Sequence, residues 1–318
     1  MTATLGSHKV ISADDHMDLA AIRPDLWQKR LPAQLRERAP RVVRLPEGEF
    51  WTADGERLSA SGNTLLKVHL NAIARAGIPD DGFRASTPSL RLQDMDRDGV
   101  HAQVIYGPVT GIRVKDAALK AACLQAYNDW AIEFNAADPQ RLCMLAYLPA
   151  HEVSAAVAEV QRAAKAGHRG AVLSMFEATL PLSEPGWEPL WMAVEETGLP
   201  LSVHLGGGFH TLRPAANSWR TAAFASVAPM QLDEVLAIML LSGALDRHPG
   251  LSLVLGESGL GWIPYVVERA DHEFHNYKQR AADLRLSSEP SAIFHRQVYA
   301  TFESDRFGVS VLGAIGHE

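Results

Sequence analysis

Cysteine is nearly absent: Cys123 and Cys143 are the only two in 318 residues, and they do not form a Cys-x-x-Cys pair. A disulfide framework is excluded, and two buried thiols are the expectation. Long apolar runs are missing as well. The longest, Val235 to Leu245, falls well short of the roughly 20 residues a membrane-spanning helix needs. The first residues lack a signal peptide's apolar core, because His8, Lys9 and the Asp14-Asp15 pair interrupt it. Basic charge is not in excess. The formal net charge is -7, which gives no electrostatic footprint for nucleic acid or an anionic membrane. No repeat, no low-complexity segment and no phosphate-binding glycine fingerprint is found. A cytoplasmic protein with a small-molecule substrate, without nucleic acid or membrane partners, is the expectation.

What is present is a composition of 47% hydrophobic and 21% charged residues, enough for a large core. Apolar runs alternate with helical periodicities, the signal of βα units around a parallel sheet. Strands are expected at Val10–Ala13, Ala102–Tyr106, Leu142–Leu148, Ala171–Ser174, Leu199–His204, Leu251–Leu255 and Val298–Phe302. Between them the helix ends are well marked. Pro88 opens one helix and Gly99 closes it, while Gly167 and Gly198 close two others. Strands buried on both faces should read as such short, nearly continuous apolar runs. The pattern predicts α/β class and a (β/α)₈ TIM barrel as a single domain over 1–318. Seven strands are countable where a closed barrel has eight, so the last strand is expected to lie beyond Glu318. The stretch from about 32 to 85 is poor in regular pattern and reads as an irregular insertion.

In such barrels chemistry sits where strands end. Asp14 and His16 follow the first strand at i and i+2, so a carboxylate and an imidazole share one face. His204 ends the fifth strand, ahead of Gly206-Gly207-Gly208, and Glu257 follows the sixth. An Asp-x-His tripeptide alone is common, and a lone strand-end His is commonly a hydrogen-bonded core residue. Their coincidence at one end of one predicted barrel points instead to metal ligation by oxygen and nitrogen donors, with zinc first and manganese or iron as alternatives. Glu257 is a candidate acid or base, with a salt bridge as the competing reading. Tyr106 and His210, placed after the second and fifth strands, are candidates to line a substrate pocket. Gly256-Glu257-Ser258-Gly259-Leu260 looks like a nucleophile elbow, but Leu260 stands where the second glycine is required, which excludes a serine hydrolase.

Five segments in order carry a resemblance. They are Val10 to His16, Arg91-Leu92-Gln93-Asp94-Met95-Asp96-Arg97-Asp98-Gly99-Val100, Leu199 to His204, Gly256 to Tyr265, and Val298 to Phe302. Together they resemble the amidohydrolase-2 (amidohydrolase-related) family, which includes aminocarboxymuconate semialdehyde decarboxylase and the resorcylate decarboxylases. The resemblance implies one divalent metal held by Asp14, His16 and His204, with Asp14 in the place of the Glu of a Glu-x-His motif. Glu257 stands where the family's decarboxylases carry a catalytic His. The family's Trp-Gly-Ser-Asp motif, whose Asp binds metal, would follow Ile315-Gly316 and is not in this sequence. The resemblance implies nonoxidative decarboxylation of a small carboxylated aromatic or unsaturated substrate. Metal-dependent hydrolysis of an amide, lactone or ester is the alternative, and a non-catalytic barrel the further one. It also implies a homodimer or higher homo-oligomer.

Overall fold

A computed structural model describes residues 9–62, 64, 77–108, 112, 114–175, 177–205 and 218–316. The chain divides into two compact units, Met1–Ala146 and Tyr147–Glu318. Both contain strands alternating with helices, the α/β class expected.

In the first unit, β1 (Val10–His16) is followed by an antiparallel meander of β2 (Arg41–Leu45), β3 (Gly48–Ala53) and β4 (Glu56–Ala60). The stretch read as irregular therefore has a sheet of its own. Its signal was in the sequence: Asp54-Gly55 joins β3 to β4 with both residues at positive φ (49° and 82°), the geometry a tight two-residue hairpin requires. Trp51 on β3 packs edge-on against Trp27 at 5.3 Å, and both are fully buried. The Trp27 indole N–H donates to the Cys123 carbonyl at 2.9 Å, which satisfies its one polar atom inside the core.

The helix Pro88–Asp98 begins with the expected proline and ends at Gly99, whose φ of 73° lets its N–H reach the Met95 and Asp96 carbonyls. It leads into β5 (Val100–Tyr106), which pairs in parallel with β1, with His16 opposite Tyr106. Asp116 caps the helix Ala117–Asn135 by accepting from the Leu119 N–H at 2.9 Å. The run 142–148, expected as one strand, is two: β6 (Leu142–Met144), paired with β5, and β7 (Ala146–Leu148). The cause is Asn135, whose side-chain amide accepts from the Met144 N–H at 2.7 Å and donates to the Met144 carbonyl at 3.0 Å. With both backbone groups of Met144 held by a side chain, the run breaks after it.

The second unit is built on five strands in the order β7, β8 (Ala171–Leu173), β9 (Leu201–His204), β10 (Leu253–Gly256) and β11 (Val298–Ala300). From β8 to β11 the pairing is parallel, with Gly256 opposite His204 and Leu253 opposite Val298. Every residue of β8 and β9 is buried, as a sheet covered on both faces demands. The segment Trp219–Leu241 is apolar and long enough to cross a membrane by length and composition alone. It is interrupted by a turn at Ala228–Leu232 and carries Asp233 and Glu234 in mid-run, and its second half packs into the core through Leu236, Met239 and Leu240.

The helix Glu188–Thr197 is fastened to the turn before β10 by charge. Arg247 donates to both Glu188 oxygens at 2.9 and 2.7 Å, and the His248 ring lies 3.0 Å from Glu188 and 2.8 Å from Glu195. Arg247 foremost, with His248, holds the Glu188 carboxyl down at about 2, from its ordinary 4.5. A lowered folded-state value means that the contribution is present above the ordinary value and is lost as pH falls toward 2. Glu188→Gln should therefore melt below wild type at pH 7, and thermal melts between pH 4.5 and 2 should show that gap closing.

Candidate functional site

In the first unit the polar end of β1 holds Asp14 and His16 side by side, with Asp14 Oδ1 3.3 Å from His16 Nε2. The Asp14 side chain is 7% exposed and that of His16 29%, so the pair is neither solvated nor sealed. Tyr106, on the neighbouring strand, lies with its ring centroid 6.3 Å from that of His16 and is fully buried.

Behind this pair stands a residue not singled out from the sequence, Arg91. Its Nε donates to Gln103 at 2.6 Å, one Nη to the His16 carbonyl at 3.2 Å, and the other to Asp15 Oδ1 at 3.2 Å. Burial pushes the Arg91 guanidinium down, and the Asp15 carboxylate opposes this. A planar fork that satisfies three acceptors at once fixes the backbone of the ligand segment in a way a flexible ammonium cannot. Its signal was its membership of the Arg91–Val100 segment, where it is the one basic residue facing the core.

In the second unit His204 ends β9 with its side chain 5% exposed. Its Nδ1 lies 3.2 Å from the Leu205 carbonyl and its Nε2 3.4 Å from Glu257 Oε2. A ring with one nitrogen beside a fixed backbone acceptor is held in orientation, which leaves the other nitrogen to meet a ligand. A carboxylate with an imidazole on β1, and an imidazole on β9, are donors of the kinds that divalent zinc, manganese or iron accepts.

Glu257 follows β10 directly, placed beside His204 by the pairing of Gly256 with that residue. Its backbone is left-handed, at φ 49°. The Glu257 N–H donates to the Thr301 hydroxyl oxygen at 2.7 Å. Three backbone N–H groups, those of Leu260, Gly261 and Gly308, converge on the Asp305 carboxylate at 2.7, 2.8 and 2.7 Å. These bonds, Gly308's foremost, hold its carboxyl below the usual range. Ser258 is fully buried, and its hydroxyl donates to the Gly259 carbonyl at 2.9 Å. It is therefore no exposed nucleophile, in line with the rejected elbow. A cavity of about 640 Å³ opens beside Glu257, walled by Phe224, Met230, Trp262 and Phe302. His210 lies outside the described residues.

Comparison with known proteins agrees with this picture. The amidohydrolase family profile matches residues 48–306, a span that includes Tyr106, His204 and Glu257 and begins beyond β1. The γ-resorcylate decarboxylase of a Rhizobium species is 27% identical over 201 residues, covering 57% of this chain and 58% of that protein. The chain thus matches little more than half the length of this curated relative. Among solved structures, an amidohydrolase from Mycobacterium avium subsp. paratuberculosis superposes with a TM-score of 0.75 at 17% identity, over 98% of this chain and 87% of its own. A dihydroxybenzoic acid decarboxylase from a Polaromonas species, solved with manganese and the inhibitor 2-nitroresorcinol, gives 0.60 at 17% identity, over 97% and 83%. At such identities the likeness carries the fold, the TIM-barrel class expected from the sequence.

Removing the Arg91 fork leaves the Asp15 carboxylate and the His16 carbonyl without it. Arg91→Met should lower stability in urea unfolding by about 3 kcal/mol, the scale for losing one partner of a buried ion pair. Arg91→Lys should recover less than half of that loss, because one ammonium nitrogen cannot reach acceptors that Arg91 meets from three separate nitrogens.

Proposed function

The chain belongs to the amidohydrolase family, and we propose that it is a metal-dependent enzyme that decarboxylates a small carboxylated aromatic or unsaturated acid without an oxidant. The observation that carries this reading is the His204–Glu257 pair. An imidazole and a carboxyl group stand at the ends of neighbouring strands with Nε2 3.4 Å from Oε2, and Glu257 borders a cavity whose walls include Phe224, Met230, Trp262 and Phe302 beside Glu303 and Asp305.

In this reading Asp14, His16 and His204, each offering one donor atom, hold a single divalent ion. Zinc is the ion expected from the donors, and the manganese of the Polaromonas relative makes that ion the alternative. A bound ion supplies positive charge that fixes the substrate carboxylate and a neighbouring oxygen. Glu257 in its protonated form delivers a proton to the ring carbon that bears the carboxylate. The bond from that carbon to the carboxylate then breaks, its electron pair returns to the ring, and CO₂ leaves. Glu257, now a carboxylate, takes its next proton from water as product departs. Phe224, Met230, Trp262 and Phe302 hold the ring by its faces and keep water from the reacting carbon. Tyr106 and His210 remain candidates for substrate contact in the same proposal. Self-association and a cytoplasmic location belong to it as well.

Metal content by plasma mass spectrometry should give about one divalent ion per chain and lose it in His204→Ala. With manganese or zinc supplied, γ-resorcylate should be decarboxylated, and Glu257→Gln should lower kcat by roughly 100-fold or more, the scale of a lost general acid. Hydrolysis of a lactone by the metal-loaded protein, with no carboxylated arene turned over, would transfer the reading to a hydrolase.

A further inference from the structure

Among the described residues only Asp54 and Glu257 combine a side chain with a left-handed backbone. For Asp54 the reason is local, since it sits in an Asp-Gly hairpin turn where aspartate is tolerated. Glu257 has no such turn. A long side chain in this region is strained, and strain of this kind persists only where the surroundings hold it.

The surroundings are the segment after β11. Thr301, 7% exposed, accepts the Glu257 N–H on its hydroxyl at 2.7 Å and the Ser258 N–H on its carbonyl at 3.2 Å, while its own N–H donates to the Leu255 carbonyl at 2.9 Å. Asp305 closes the far end of the loop through the Leu260 and Gly261 N–H groups. The loop is thus stitched at both ends, and Thr301 Oγ1 is the side-chain atom that takes the amide of residue 257 itself.

We propose that Thr301 is the positioning residue for Glu257: by accepting its N–H, Thr301 fixes the left-handed backbone that turns the Glu257 carboxylate toward His204 Nε2. This rests on the reading of Glu257 as the proton donor, and its consequences divide into a part that needs activity and a part that does not. Without Thr301 Oγ1, residue 257 relaxes toward an ordinary backbone conformation and the carboxylate swings off His204. Substrate binding, which depends on the apolar walls, is little altered.

The test uses the full chain. In thermal melts without added metal, Glu257→Gly should melt above Glu257→Ala by roughly 1–3 °C, because glycine adopts the left-handed conformation freely and alanine does not. Thr301→Val should lower the melting temperature less in a Glu257→Gly background than in wild type, since glycine needs less holding. With manganese and γ-resorcylate, Thr301→Val should lower kcat about 10- to 100-fold with KM within about threefold, the scale for removing an outer support of a site. Thr301→Ser, which keeps the oxygen, should restore most of it. The proposal is overturned if Glu257→Ala melts as high as Glu257→Gly, if the Thr301→Val penalty is the same in both backgrounds, or if Thr301→Ser and Thr301→Val lose kcat alike. Should wild type decarboxylate nothing, the functional reading fails, and the melting comparisons alone decide whether Thr301 holds Glu257.

Discussion

A strand buried on both faces cannot carry charged side chains along its length, because each would lose its hydration without gaining a partner. Every residue of β9 is buried, and the polar group that chemistry needs is displaced to its last position, His204. The same pressure puts Glu257 immediately after β10 rather than on it. Strand register then does the rest. Because Gly256 lies opposite His204, the next residue along starts beside that strand end, and its backbone conformation decides where its carboxylate points. The site is in this sense a consequence of packing: apolar interiors exclude polar groups, and parallel pairing collects them at one end.

This explains what could be read from the sequence and what could not. Short apolar runs locate buried strands, so β1, β5, β8, β9, β10 and β11 were expected close to where they are found, and the residues after them were the natural candidates. The meander at β2–β4 was hidden because its strands are half exposed and carry Arg41, Arg44, Glu56 and Arg57, which blur the apolar signal. Only the Asp54-Gly55 turn announced it. The break between β6 and β7 was beyond reach, since it depends on an Asn135 amide arriving from the preceding helix to occupy Met144. Arg91 and Thr301 were missed for a similar reason. Their importance lies in which carbonyl or N–H they touch, and a sequence gives residue types without those contacts.

The supporting residues share a logic. Arg91 grips the His16 carbonyl, Thr301 the Glu257 amide, and Asp305 two amides of the loop after β10 and one of the helix that follows Asp305 itself. All act on backbone rather than on the reacting side chains. A side chain on a fixed backbone loses little freedom when it engages a ligand, so less of the binding free energy is spent on ordering it. The strain at Glu257 is the clearest sign of this, since a left-handed glutamate would relax if its amide were released.

Two positions set this chain apart from the family pattern it resembles. Asp14 stands in the place of the Glu of a Glu-x-His motif, and Glu257 where the decarboxylases carry a histidine. The first keeps an oxygen donor, and the second exchanges an imidazole for a carboxyl group. An ion beside more carboxylate oxygen is held more by charge and less by covalency, a setting that suits harder cations. Manganese is harder than zinc and accepts carboxylate readily, so the Asp14 oxygen keeps it beside zinc as a proposed occupant. The Glu257 exchange also changes the acid available. A carboxyl group has two oxygens on one rigid plane, so it can face His204 with one and a substrate carbon with the other, provided its backbone is fixed.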